Sequence, residues 1–215
     1  VYDLQQLTES QSNAIITLLY KDKGLRSEIK NWRPISLLCV DYKLVTKTLA
    51  NRLKRTLSTL LSPDQTCGIP RRTIHSNISL VGDVLYHAKQ KHNQVFILTL
   101  DQEKAFDKVD MAFLDRVLEK ANIGPTFRSW IRIIYSNITS QIQINGNFSA
   151  KILVERGVRQ GCPLSPLLYT LIVETMAEAI KQDPTVQGYR IGKHNIKITQ
   201  YADDATLIIR DLASY

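Results

Sequence analysis

Residues 198–209 place two short apolar, β-branched runs on either side of a four-residue break that carries Asp203 and Asp204. That pattern predicts a β-hairpin with acid at its tip. Aspartate is a poor strand former, and like charges side by side repel. Such a pair persists as a solvated turn, or where a divalent cation reverses the local electrostatics. The apolar flanks suggest a turn set into a buried sheet. A third carboxylate elsewhere would decide between the two.

One candidate lies far upstream. Val95, Phe96, Ile97, Leu98, Thr99 and Leu100 form a nearly unbroken apolar run, which predicts a strand buried on both faces. It ends at Asp101, and the end of a buried strand is where ligands and metals commonly sit in α/β sheets. Capping of the following turn is the alternative role for Asp101. Only a fold can bring Asp101 to Asp203. Together they would make an oxygen-rich site of the kind Mg²⁺ prefers, completed by waters and substrate phosphates. Two such ions would activate a hydroxyl nucleophile and stabilise a departing pyrophosphate.

The rest of the chain alternates helix and strand, so the class is α/β or α+β. Residues 3–13 are polar and predict a short helix or lead-in. Residues 14–20 predict a strand, followed by a basic loop running to Trp32 and Arg33. That loop is either a solvated turn or a clamp on phosphates. Lys21 and Arg33 are its best donors, because ammonium and guanidinium suit polyphosphate. Leu49, Leu53, Leu57 and Leu61 recur every fourth residue and predict a helix over 41–62. Lys43, Lys47, Arg52, Lys54 and Arg55 lie off that stripe, a cationic face suited to solvent or to a row of phosphates. A second amphipathic helix is expected over 74–92, with His75, His87 and His92 on the surface. Further helices are expected over 111–121, 125–138 and 164–181. Asn145-Gly146 marks a hairpin turn. Before the last helix, Gln160 and Gly161 sit in a basic, glycine-punctuated loop, which is a plain helix entry or a place where backbone approaches a flat ligand closely.

The net charge of +8 favours a polyanionic partner. No apolar run approaches the ~20 residues of a membrane span. Three scattered cysteines, Cys39, Cys67 and Cys162, argue against a disulfide framework or a zinc site and favour a reducing, intracellular setting. A chain that opens at Val1 and stops soon after a strand is expected to be a fragment, with an open sheet edge after Ile208-Ile209.

The stretches NWRPISLL, LDQEKAFDKVD, RGVRQGCPLSPLLY and YADD, in this order, resemble the reverse transcriptases of LINE-type (non-LTR) retrotransposons over residues 14–210. The resemblance implies the fingers and palm of a right-hand polymerase with the thumb absent: a fingers-like region over 1–92 and an incomplete palm over 93–215. It implies RNA-templated DNA synthesis, with Asp101, Asp203 and Asp204 holding two Mg²⁺ ions, for which Mn²⁺ can substitute, aided by the backbone of Gln102. Ala105, Phe106, Gln160, Gly161, Lys21 and Arg33 would meet the incoming dNTP, Phe106 by rejecting a 2′-hydroxyl. Lys43, Lys47, Arg52, Lys54, Arg55, Arg71 and Arg72 would meet the RNA template and DNA primer. The resemblance further implies a cytoplasmic and nuclear protein without a membrane, whose parent carries an endonuclease domain.

Arg71 and Ser76 depart from the family pattern, which has glycine after Pro70 and aspartate in place of the serine. The departures touch the loop, not the carboxylates. A group II intron-type reverse transcriptase shares similar stretches and stays open as an alternative, as does a non-catalytic nucleic-acid-binding relic. A viral RNA-dependent RNA polymerase has no use for Phe106 as a sugar gate.

Overall fold

The computed structural model describes residues 5–210. Asp3, in the expected lead-in, and residues 211–215, in the expected palm, lie outside the described residues. In chain order the elements are α1 (Glu9–Ser12), β1 (Asn13–Tyr20), β2 (Trp32–Leu38), α2 (Val40–Leu60), α3 (Ile74–Gln90), β3 (Phe96–Leu100), α4 (Met111–Lys120) and α5 (Pro125–Tyr135). There follow β4 (Thr139–Ile144), β5 (Asn147–Phe148), β6 (Ile152–Leu153), α6 (Ser165–Gln182), β7 (Tyr189–Ile191), β8 (His194–Ile196), β9 (Ile198–Tyr201) and β10 (Asp204–Ile209). Two compact units result. One takes residues 1–52 and 106–165, the other residues 53–105 and 166–215.

The first unit is built on a sheet of order β2-β1-β4-β5, with β6 also paired to β4. β1 runs antiparallel to β2, Tyr20 opposite Trp32 and Ala14 opposite Leu38, and parallel to β4. The β4–β5 turn is the expected one: Asn145 and Gly146 both take positive φ, 49° and 80°, as a type I′ turn requires. α4 starts where the Asp110 carboxylate accepts the Phe113 N–H at 2.7 Å. α5 starts at Pro125, whose missing N–H costs nothing in the first turn. Leu114 and Leu118 of α4 and Ile131 and Ile134 of α5 are buried. Outside them, Asp115 takes both Nε and Nη2 of Arg128, at 3.0 and 2.8 Å, and Nη2 of Arg132 at 2.8 Å.

In the second unit β10 lies between β3 and β9, antiparallel to both. This corrects two expectations. Ile208 and Ile209 are buried in the central strand of the sheet, not beside an open edge. β3 is an outer strand: it pairs with β10, and its residues are half-buried with Thr99 exposed. The apolar run had suggested cover on both faces. The side chains of α3 and the α6 face supply the core: Val84 and Ala88 pack with Tyr189 and Ile208, and Ala177 with Ile198 and Ala205. His87, expected on the surface, is half-buried, its Nδ1 3.0 Å from the Tyr189 hydroxyl with the rings edge-on.

The α2 stripe behaves as the spacing predicts, with Leu49, Leu53, Leu57 and Leu61 all buried. The three cysteines are free. Among the described residues no helix is long and apolar enough to cross a membrane.

Candidate active site

Antiparallel register sets the acidic end of the second unit. Ala205 of β10 stands opposite Leu100 of β3. The residue before the one is Asp204 and the residue after the other is Asp101, so both carboxylates leave the same end of the sheet. Asp203 is adjacent in the β9–β10 turn. Asp101 and Asp204 are exposed and Asp203 is half-buried. The Asp203 charge acts on two neighbours, Tyr169 and Cys67. Three acids thus stand at one sheet end in a chain of net charge +8.

Their donor set is all hard oxygen, which fits Mg²⁺, Mn²⁺ or Ca²⁺ and not a thiolate-seeking metal. No group of three or more His, Cys, Asp and Glu side chains among the described residues is arranged to hold a metal ion. The acids are thus neighbours without forming a closed cage. That suits an ion which keeps several waters and takes substrate phosphates as its remaining ligands.

Two side chains around this end, Tyr169 and Gln65, were not singled out from the sequence. Tyr169 of α6 donates its hydroxyl to Gln102 Oε1 at 2.6 Å. Its phenol is pushed up to about 12, first by burial and then by the Asp203 charge. The Gln102 side chain is thereby turned to α6, with Nε2 3.8 Å from Met176 Sδ. Burial, chiefly, pushes the Cys67 thiol up, with the Asp203 charge adding to it. Gln65 is fully buried and reaches the backbone of Ala202, the residue before Asp203. Tyr169 sits in an apolar helical run, and Gln65 in a polar loop, so neither stands out locally.

The other expected nucleotide contacts belong to the first unit, apart from Ala105. That residue is buried in the second unit, at the start of the 3₁₀ turn Ala105–Lys108. Phe106, next in the turn, is half-buried. The Gln160 loop is fastened to this turn: Gly157 N–H donates to Val109 O and Val158 N–H to Phe106 O, both at 2.8 Å. A side chain on Gly157, at φ +92°, would press within 3.0 Å of the Asp107 and Phe106 backbone. Arg159 turns inward, is buried, and donates Nη2 to Ser12 O and to Thr139 O, with its guanidinium 5.4 Å from the Tyr42 ring centre. The basic character of this loop is therefore partly structural. Gly161, expected to let a ligand come close, has its close approach inside the protein. A Cβ there would lie 2.6 Å from Ser36 O of β2, and Ser36 N–H donates to Gln160 O.

Lys21 lies just past β1 and donates to Lys30 O at 2.8 Å. Arg33 stands opposite Leu19 and is exposed. Along α2, Lys47, Arg52 and Arg55 are exposed, and Lys43 and Lys54 partly so. Arg71 is exposed at φ 66°. Arg72 is committed elsewhere: its guanidinium donates to the carbonyls of Ser58, Leu61, Ser62 and Gln65, closing the end of α2.

Residues 20–214 match the family described as "Reverse transcriptase (RNA-dependent DNA polymerase)". The chain is 39% identical over 207 residues to the transposon TX1 uncharacterized 149 kDa protein of Xenopus laevis, covering 96% of this chain and 16% of that protein. It is 30% identical over 194 residues to a retrovirus-related Pol polyprotein from the type-1 retrotransposable element R2 of Popillia japonica, covering 89% of this chain and 27% of that protein. Its backbone is similar to that of telomerase from Candida tropicalis in complex with a TWJ fragment of telomeric RNA. That match has a TM-score of 0.66 at 12% identity and covers 96% of this chain and 37% of the other.

Proposed function

This chain belongs to the reverse transcriptase (RNA-dependent DNA polymerase) family, and we propose on that premise that it adds deoxynucleotides to a primer on an RNA template, as part of a non-LTR retrotransposon protein. The fold is the mixed helix-and-strand fold of polymerase fingers and palm. The chain spans between 16% and 27% of the curated relatives named above. Whatever an additional endonuclease contributes is part of the proposal for the whole protein.

The observation that carries the reading is the register that gathers Asp101, Asp203 and Asp204 at one end of the β3-β10-β9 sheet. These residues would hold divalent ions, with Mg²⁺ the best match to an all-oxygen set. When bound, such ions neutralise charge at the attacking and departing oxygens of a phosphoryl transfer. The reaction is attack of the primer 3′-hydroxyl on the α-phosphate of a dNTP, with pyrophosphate leaving. Lys21 and Arg33 grip the triphosphate. Phe106 excludes the 2′-hydroxyl, and Gln160 stands by the templating pair. Lys43, Lys47, Arg52, Lys54, Arg55 and Arg71 meet the backbone of the template–primer duplex. Three free thiols support a reducing compartment, cytoplasm or nucleus.

Primer extension tests this with an RNA template, an annealed DNA primer, dNTPs and Mg²⁺. Asp203→Asn keeps the shape and removes one charge, so extension should fall by at least about 10³-fold. Extension by Asp203→Asn at the unaltered rate would refute the reading.

A further inference from the structure

Ala202 sits at the tip of the β9–β10 turn with φ 55°, in the left-handed region that a residue with a Cβ enters reluctantly. Backbone of this kind persists where the surroundings over-determine it. One side chain does so here. Gln65 is fully buried. Its Oε1 accepts the N–H of Ala202 at 3.1 Å and that of Cys67 at 3.0 Å, and its Nε2 reaches the Ala202 carbonyl at 3.5 Å. A single amide therefore meets both backbone polar groups of the residue that precedes Asp203.

Gln65 is itself held in place. Its segment lies parallel to β9, bridged to Gln200. Gln200 N–H donates to Asp64 O at 2.8 Å, and Thr66 N–H to Gln200 O at 3.1 Å. Asn77 Nδ2 donates to the same Gln200 carbonyl at 2.8 Å. Lys181 pairs with Asp64 at 3.1 Å, and Arg72 donates to Gln65 O at 2.8 Å. A buried position with no use for an amide would be filled more cheaply by leucine or methionine, since an unpartnered amide costs free energy there.

We propose that Gln65 is a positioning residue for nucleotide addition: its amide fixes the Ala202 peptide groups and so holds Asp203 in one orientation at the acidic end of the sheet. This rests on the polymerase reading for its catalytic consequence, while the fixing of the turn is testable without it.

The test compares the unaltered chain with Gln65→Met and Gln65→Glu by three readouts. They are amide hydrogen exchange resolved at Ala202 and Ile208, Mn²⁺ titration followed by electron paramagnetic resonance, and primer extension with Mn²⁺ or Mg²⁺. The Ile208 N–H, bonded to Lys197 O in the central strand, reports overall stability. Gln65→Met should speed exchange at Ala202 by about tenfold or more beyond any change at Ile208, because the hydrogen bond that protects it is gone. Half-saturation by Mn²⁺ should move upward. The extension turnover should fall about tenfold to a hundredfold with KM for dNTP little changed, as for a misplaced reacting group. Gln65→Glu keeps an acceptor at Oε1 and should restore protection at Ala202; it is also the variant to read should Gln65→Met not fold. Exchange at Ala202 that merely follows Ile208 in Gln65→Met, or free exchange at Ala202 in Gln65→Glu, would overturn the proposal. If the unaltered chain extends no primer yet Gln65→Met frees the Ala202 amide, the polymerase reading fails and the hold on the turn stands.

Discussion

Replacing Arg72 by methionine removes a guanidinium while keeping most of its aliphatic bulk. The cation serves four carbonyls at the end of α2: Ser62, Gln65 at 2.8 Å, Leu61 at 3.1 Å and Ser58 at 3.3 Å. A hydrogen bond from a charged donor contributes ~1.5–3 kcal/mol, and a cation at a helix C-terminus ~0.3–1 kcal/mol more. The four bonds share one charge, and the Ser58 bond is exposed. The loss is therefore set by the two or three half-buried bonds, about 2–4 kcal/mol in total. In a chain of this length each kcal/mol lowers Tm by ~2–4 °C, so Arg72→Met should melt ~5–15 °C early. Arg71→Met is the control: an exposed side chain that serves no carbonyl among the described residues, it should change stability by less than ~0.5 kcal/mol. The two should separate oppositely in filter binding to an RNA–DNA duplex across a salt series. Arg71→Met should flatten the slope of log affinity against log salt by ~0.7–0.9, the share of one phosphate contact, whereas Arg72→Met at a temperature where it is folded should leave the slope alone. A variant Arg72→Met that melts with the unaltered protein yet loses duplex affinity would show that the guanidinium serves phosphates and not α2.

Phe106→Val should admit ribonucleotides while leaving dNTP incorporation nearly unchanged, since a clash discriminates more sharply than a lost contact; an unchanged dNTP-to-rNTP preference in competitive extension would place the gate elsewhere. Hydrogen bonds from Arg128 and then Arg132 hold the Asp115 carboxyl well below its ordinary 3.8. A depressed folded-state value gives stability that is present above that pH and is lost as pH falls below it. Asp115→Asn should thus cost ~1–2 kcal/mol near neutrality and progressively less below about pH 4, measured by denaturant melts; an equal cost in acid would refute the assignment. Gln200 is fully buried with neither Oε1 nor Nε2 bonded. Gln200→Met should leave stability unchanged or raise it by ~1–2 kcal/mol, and a loss of that size would mean that the amide is in use.

Much of the fold was legible wherever the signal is local. The leucine spacing placed α2, Asn145-Gly146 placed the β4–β5 turn, and the acid between apolar runs placed the β9–β10 hairpin. What escaped depends on partners distant in sequence. An apolar run such as β3 looks alike at the edge or the centre of a sheet, and only β10 decides which it is. Gln65 meets Ala202 137 positions away, so no local pattern marks it. Arg72 looked like one more cation in a basic loop until the carbonyls of α2 were set beside it. Gly161 was expected to admit a flat ligand, and what comes close to it in the fold is the Ser36 carbonyl. The position of the three carboxylates at one end of the sheet was half legible: the hairpin placed Asp203 and Asp204 together, but only the β3–β10 register brings Asp101 to them.

The order of strands in the second unit has a consequence for how the protein is made. Synthesis delivers β3 about a hundred residues before β10, and β10 is the strand between β3 and β9. The middle of the sheet therefore leaves the ribosome last of the three. Closing so long a loop adds little entropy cost beyond that of a shorter one, so the hazard is the wait: a nascent chain holds an apolar strand with both edges bare. Holdase chaperones that shield such a strand would be most useful between the emergence of Leu100 and that of Ile209. The same order delays the acidic end. Asp101 gains its acidic neighbours only when β10 docks, so a translation product interrupted before β10 has no assembled acidic end.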